Sequence, residues 1–160
     1  MKSRKTDSME TKTMRRSVLR AVTVAMAAAM LRPLQLLAGP WNKAAFDARA
    51  VAEALNGIGA TATEASNQIV LKAPEIAENG AIVPLEIASE IPGTQAIYIL
   101  VDKNPQPLTA VFEFANGAEA FVATRIKMAE SSRVRILARA GGRFYATMRE
   151  VKVTIGGCGA

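Results

Sequence analysis

Ala96-Ile97-Tyr98-Ile99-Leu100-Val101 is an unbroken run of apolar residues that is rich in isoleucine. A short apolar run without polar alternation is typical of a β-strand that is buried on both faces. On either side of it, apolar residues recur at short spacing in further segments, namely residues 68–71, 81–87, 108–114, 122–128, 134–138 and 144–155. About seven short strands at close spacing predict a mainly β protein, an immunoglobulin-like antiparallel β-sandwich.

Two residue pairs that contain glycine predict how the strands connect. Asn116-Gly117 is typical of a hairpin turn, and Gly141-Gly142 predicts the turn into the last strand. Within that last strand the apolar alternation changes parity near Arg149-Glu150. An extra residue in one strand would produce such a change, so the sequence predicts a β-bulge at this point.

Before the strands, small and apolar residues recur at helical spacing: Trp41, Ala45, Ala48, Ala52 and Leu55. This pattern predicts a single N-terminal helix, which Asn56-Gly57 would end as a C-cap. The chain is therefore expected to divide into a helix with its connection over residues 39–66 and a sandwich over residues 67–155. Residues 156–160 follow as a separate arm.

The arm has the sequence Gly156-Gly157-Cys158-Gly159-Ala160 and contains the only cysteine of the chain. Gly156, Gly157 and Gly159 predict a flexible, slender segment, because glycine lacks a side chain and has wide backbone freedom. A lone cysteine is usually a buried core residue, but a thiol among these glycines has no core to pack into. The sequence therefore predicts one presented nucleophile, Cys158, directly after a core strand. A disulfide from Cys158 to another chain is the open alternative.

The first 38 residues look like an export signal rather than part of the fold. Met14-Arg15-Arg16-Ser17-Val18-Leu19-Arg20 resembles the twin-arginine signal, with paired arginines, an apolar pair and a further basic residue. The apolar run of residues 21–31 that follows is too short to span a bilayer. Residues 1–38 are therefore predicted to be a cleaved twin-arginine signal peptide, which leaves the protein in the periplasm without a membrane segment. A short N-terminal membrane anchor is the alternative.

The formal net charge of +6 is confined to this signal. Residues 1–38 contain 8 Lys and Arg against 2 Asp and Glu, whereas residues 39–160 contain 12 of each sign. A neutral mature chain removes the argument for binding to nucleic acid. Residues 123–160 nevertheless carry 8 basic and 2 acidic side chains, which predicts a cationic C-terminal third. Solvated charges on strand faces are the alternative explanation.

The sequence offers little catalytic chemistry. It contains no histidine, which removes nucleophile activation by histidine and the usual metal sites built from histidine and cysteine. No glycine-rich phosphate loop follows a strand and opens a helix, and no two carboxylates are spaced to argue for a site. We therefore predict a protein that is not an enzyme and has no catalytic residue, metal site or cofactor of its own.

Five blocks carry a family resemblance: Trp41-Asn42-Lys43-Ala44-Ala45-Phe46, Ala73-Pro74-Glu75-Ile76-Ala77-Glu78-Asn79-Gly80, Lys103-Asn104-Pro105 with Pro107-Leu108, Thr124-Arg125-Ile126-Lys127-Met128-Ala129-Glu130, and Val151-Lys152-Val153-Thr154-Ile155-Gly156-Gly157-Cys158-Gly159. The last block is the most specific, because it joins a core strand to the cysteine arm. With these blocks the chain resembles the SoxY family, the sulfur-carrier subunits of the periplasmic Sox thiosulfate-oxidising system. The family usually ends after the last glycine, whereas Ala160 follows it here.

This resemblance implies a carrier that holds thiosulfate-derived sulfur on Cys158. A haem enzyme would couple thiosulfate to Cys158 as a cysteine S-thiosulfonate, and a manganese-dependent hydrolase would release sulfate and leave a persulfide. In some organisms a molybdenum sulfane dehydrogenase would oxidise that persulfide. The resemblance also implies a heterodimer with a SoxZ-like subunit, which we expect to form through exposed apolar strand surface such as the run that begins at Ala96. A secreted interaction module that dimerises through Cys158 is the competing function.

Overall fold

Residues 42–115 and 117–155 are described by a computed structural model, and within these ranges the chain forms two short helices and nine strands. Trp41, Asn116, the predicted signal over residues 1–38 and the predicted arm over residues 156–160 lie outside them. The helices are α1 (Lys43–Asp47) and α2 (Val51–Gly57). The strands are β1 (Glu64–Ala65), β2 (Ile69–Lys72), β3 (Ile76–Asn79), β4 (Val83–Ser89), β5 (Thr94–Val101), β6 (Leu108–Glu113), β7 (Phe121–Ile126), β8 (Ser132–Ala140) and β9 (Arg143–Ile155).

The strands form two sheets. The larger sheet has the order β1-β9-β8-β5-β6, with β3 also paired to β9, and the smaller sheet has the order β2-β4-β7. Neighbouring strands are antiparallel except β1 and β3, which run parallel to β9. The prediction of a mainly β, immunoglobulin-like sandwich is confirmed. The predicted set of strands lacks β1 and β3: β1 has only two residues, and β3 (Ile76–Asn79) buries only Ala77, so neither shows an apolar alternation.

Strand β5 is buried on both faces, as its sequence predicts. One set of alternate residues points into the core between the two sheets: Ile97, Ile99 and Val101. The other set packs with the helices in a second apolar cluster: Ala96, Tyr98 and Leu100. Because the chain covers both faces of this strand itself, the expectation that the run contacts a partner subunit is wrong.

The predicted single helix is instead two helices with a break at residues 48–50. Ala50 has extended dihedral angles (φ −124°, ψ 147°), which stop one helix and allow the next to begin in a new direction. The Asn42 side chain accepts a hydrogen bond from the Ala45 N–H (3.1 Å) and donates one to the Gly57 carbonyl (2.7 Å). A Cβ atom at Gly57 would lie 2.9 Å from Ala45 Cα. Gly57 therefore allows α2 to pack closely on α1. The helix ends at Gly57 as predicted, although the C-cap residue is Ile58.

Strand β9 changes its buried face without a bulge, so the predicted bulge is wrong. Its pairing with β8 is continuous from Ser132↔Val151 to Ala140↔Arg143. Phe144, near the start of β9, packs in the cluster with the helices, whereas Val151 packs between the two sheets. The change of parity therefore marks a change of cover, from the helices on the outer face to the smaller sheet on the inner face.

One of the two predicted turns is confirmed. Gly141 and Gly142 join β8 to β9 and both have positive φ (57° and 76°), which glycine adopts without strain. The predicted hairpin at Asn116-Gly117 is wrong, because β6 pairs with β5 in the larger sheet and β7 pairs with β4 in the smaller one. This connection crosses between the sheets, as the two-layer packing requires.

Candidate functional site at the end of strand β9

The predicted attachment residue Cys158 and its neighbours Gly156, Gly157 and Gly159 lie outside the described residues. The structure describes the strand that leads to them, because β9 ends at Ile155, three residues before Cys158. We call the surface around the end of β9 the arm base. It consists of residues 79–82, 103–107, 127–131 and 151–155.

The last four residues of β9 extend beyond β8 and are held by other segments. Pairing with β8 ends at Val151. Beyond it, β3 runs parallel to β9 up to the level of Ile155. The Ser131 hydroxyl accepts a hydrogen bond from the Val153 N–H (2.8 Å). The end of β9 is therefore fixed from two sides after it has passed its main neighbour.

The turn after β3 bonds directly to the last described residue. The Gly80 N–H donates to the Ile155 carbonyl (2.7 Å), and the Gly80 carbonyl accepts from the Met128 N–H (2.7 Å). The Asn79 side chain accepts from the Ala81 N–H (2.8 Å), which holds the shape of the turn. Gly80 therefore joins three segments that are far apart in the sequence.

Asn104 fixes the loop that contains Met128. Its side-chain amide donates to the Lys127 carbonyl (2.8 Å), and its side-chain oxygen accepts from the Ala129 N–H (2.9 Å). These two bonds bracket Met128, whose own N–H bonds to Gly80. A continuous set of hydrogen bonds thus leads from Asn104 through the Met128 loop and Gly80 to the end of β9.

Four of the five sequence blocks that carry the family resemblance meet at the arm base. Residues 73–80 contain β3 and lead into its turn, residues 103–105 and 124–130 contribute the two loops, and residues 151–155 end β9. The blocks are separated by tens of residues, and no pattern within them indicates that they touch. Sequence reasoning missed Asn104 as a site residue, since its place in one of these blocks was the only signal that pointed to it.

Two isoleucines at the arm base are exposed. Ile155 is 64% exposed, and Ile82, in the turn after β3, is 60% exposed. The Ile82 N–H donates to the Asn79 carbonyl (3.3 Å), and Asn79 lies level with Ile155 in the pairing of β3 with β9. The two apolar side chains therefore border the point at which β9 ends.

Ion pairs within the chain neutralise part of the predicted cationic C-terminal third. The Asp102 carboxylate lies 3.1 Å from the guanidinium groups of both Arg133 and Arg135. Arg143, at the start of β9, lies 3.9 Å from Glu64. Three of the eight cations are therefore paired with acids of the same chain, which reduces the positive field of this third of the chain.

The described residues show neither a metal-binding cluster nor a membrane-spanning helix. In the ranges 42–115 and 117–155, no group of three or more His, Cys, Asp or Glu residues could hold a metal ion. No helix in those same ranges is long and apolar enough to cross a membrane. The arm base is instead built from hydrogen-bonded loops and a strand end, an arrangement that holds a segment of chain in position.

Comparisons with known proteins point to one family. A family model described as "Sulfur oxidation protein SoxY" matches residues 54–158, a stretch that reaches Cys158. Among solved structures, the chain is similar to the sulfur carrier protein SoxY from Chlorobium limicola f thiosulfatophilum, with 39% sequence identity and a TM-score of 0.58. That match covers 64% of this chain and 93% of the other. No protein of curated function gives a significant match.

Proposed function

The chain belongs to the SoxY family of sulfur oxidation proteins, and we propose that it binds thiosulfate-derived sulfur covalently on Cys158 and presents it to partner enzymes. Membership of this family makes it a sulfur carrier rather than a catalyst. One observation supports Cys158 as the attachment residue: the family match extends to residue 158, where the chain has its only cysteine. No other thiol of the chain could hold the sulfur.

Loading would form a sulfur–sulfur bond between Cys158 Sγ and the outer sulfur of thiosulfate. The thiol releases its proton, since the thiolate is the reactive form. Two electrons leave the pair of sulfur atoms, so the step needs an electron acceptor, which we assign to a haem enzyme. The product is a cysteine S-thiosulfonate on Cys158.

Release of sulfate would be a hydrolysis and would need no oxidant. The bond between the outer sulfur and the sulfonate sulfur breaks, and the oxygen of water joins the sulfonate to give sulfate. The electron pair of the broken bond stays on the persulfide, and the two protons of water are distributed between the products and solvent. We assign this step to a manganese-dependent hydrolase. A molybdenum sulfane dehydrogenase could then oxidise the persulfide sulfur, with water as the source of oxygen and the enzyme as the electron acceptor.

The glycines beside the thiol support the carrier proposal. Gly156, Gly157 and Gly159 add no side chains around Cys158, so a narrow enzyme pocket could admit the loaded thiol. The preceding strand end is held by the hydrogen bonds of Gly80 and Ser131. We propose that this combination of a fixed base and a glycine-rich arm presents one group to several enzymes in turn.

The family also implies partners from the sulfur-oxidation system, such as SoxZ. We propose a heterodimer with a SoxZ-like subunit and export to the periplasm by the twin-arginine signal in residues 1–38. The mature chain would then act without a membrane segment and without nucleic acid.

The test is the intact mass of protein purified from its native periplasm without reductant. We expect additions that correspond to a single sulfur atom or a single thiosulfonate group, and we expect Cys158→Ser to carry neither. The same variant should fold like the parent and abolish thiosulfate-dependent turnover in the reconstituted system. A clean doubling of the mass would favour the interaction module that dimerises through Cys158, and turnover by Cys158→Ser would refute the carrier proposal.

A further inference from the structure

We propose that the haem enzyme that loads Cys158 docks on the exposed side chains of Ile82 and Ile155 at the arm base. This inference rests on the proposed function. Cys158 follows Ile155 by three residues, and an extended chain spans at most ~3.5 Å per residue. Any enzyme whose active site admits the thiol therefore has to approach within about 10 Å of Ile155. The surface that it meets there is the arm base.

The exposed side chains of this surface are suited to contact with a protein. With Ile76, these two isoleucines are the most exposed large apolar side chains in the described ranges. Ile155 and Ile82 are 64% and 60% exposed, and both lie where β9 ends. Water solvates exposed apolar side chains poorly, so two of them beside the strand end that leads to Cys158 favour contact with a protein. Because Cys158 follows Ile155 by only three residues, the enzyme that binds the thiol also contacts this surface.

The surface is already ordered before docking. Gly80 bonds to Ile155 and to Met128 through its N–H and its carbonyl, and both distances are 2.7 Å. Asn79 closes the turn that carries Ile82 by accepting from the Ala81 N–H. An enzyme that docks here has no loop to order, so little of the contact free energy is lost to conformational entropy.

Cations outnumber acids at the arm base. Its charged residues are Lys103, Lys127 and Lys152 against Glu130, and Lys103 forms an ion pair of 3.5 Å with Glu130. The two further lysines produce a positive field, which salt screens. The enzyme surface that docks here is therefore apolar around the pocket that admits Cys158 and acidic beside it, and docking should weaken as the ionic strength rises.

The experiment measures loading of Cys158 by the haem enzyme of the same organism, in the assembled carrier complex with thiosulfate as substrate. The test variant is the double substitution Ile82→Gln with Ile155→Gln. The matched control is Met148→Gln, because Met148 is 49% exposed on the same strand but lies about 23 Å from Ile155 at ~3.3 Å per residue. We expect kcat/KM for loading to fall about tenfold in the double variant and to stay at the parent value in the control. Reaction of Cys158 with a small methanethiosulfonate reagent should be unchanged in all three proteins.

Several results would overturn the inference. Parent-like loading by the double variant would do so while leaving the proposed function intact. An equal loss in Met148→Gln, a change in the methanethiosulfonate reaction, or a loss of pairing with the SoxZ-like subunit on gel filtration would each show that the isoleucines act in another way. If the parent protein itself takes up no sulfur from thiosulfate, the proposed function and this inference fail together.

Discussion

Replacement of Asn104 by alanine should loosen the arm base. The side chain makes two hydrogen bonds to one loop, to the Lys127 carbonyl (2.8 Å) and from the Ala129 N–H (2.9 Å). A hydrogen bond contributes about 1 kcal/mol net, and partial solvent access to this site lowers the sum. We therefore expect Asn104→Ala to lower the free energy of unfolding by about 1.5 kcal/mol. For a domain of this size, that loss corresponds to a decrease in Tm of about 6 °C.

The local effect should exceed the global one. Once Asn104 no longer brackets Met128, the amides of Met128 and Gly80 should exchange with solvent faster, because their bonds to each other and to Ile155 depend on this loop. Urea titration measures the global loss, and amide hydrogen exchange by NMR measures the local one. The control is Gln106→Ala, a change at an exposed position of the same loop, which should stay within about 0.5 kcal/mol of the parent. A loss below this limit for Asn104→Ala, with unchanged exchange at Gly80, would refute the reasoning.

Three other outcomes are expected. Gly157→Val should leave folding unchanged but slow the delivery of Cys158 to every partner enzyme, because a β-branched side chain adds bulk and restricts the backbone beside the thiol. Turnover at the parent rate would contradict this prediction. Gly57→Ala should lower the free energy of unfolding by about 1–3 kcal/mol, because the new Cβ would lie 2.9 Å from Ala45 Cα and force α1 to move. Thermal unfolding measures this loss, and an unchanged Tm would show that the two helices separate without cost. Burial raises the pKa of the Tyr98 hydroxyl above its ordinary value of 10.0, so its contribution to stability should be complete below pH 10 and be lost as the pH rises through the raised pKa. Tyr98→Phe should therefore lose less stability than the parent above about pH 10 in Tm measurements, and equal losses would exclude Tyr98 as the source.

Short-range patterns account for what could be predicted from the sequence. The isoleucine-rich run of β5 indicates burial on both faces, since successive residues of a strand point to opposite faces and the run contains no polar alternation. Gly141-Gly142 indicates a turn, because adjacent residues with positive φ favour glycine. Cys158 needs no fold to be singled out, because it is the only thiol and lies among glycines. Each of these conclusions depends on neighbouring residues alone.

Long-range packing determined the features of the fold that the sequence did not predict. The apparent bulge near Arg149 was a change in the layer that covers β9, and the hairpin expected at Gly117 was a crossing between sheets. Both errors have one cause: local alternation shows that a face is buried but does not show what buries it. The arm base is a stronger case, because Gly80, Asn104 and Ile155 become neighbours only when β3 and two loops close around the end of β9. The sequence by itself singled out Cys158 as the only thiol of the chain, whereas the pairing of distant segments, which depends on the packing of the whole sandwich, determined the surface at which β9 ends.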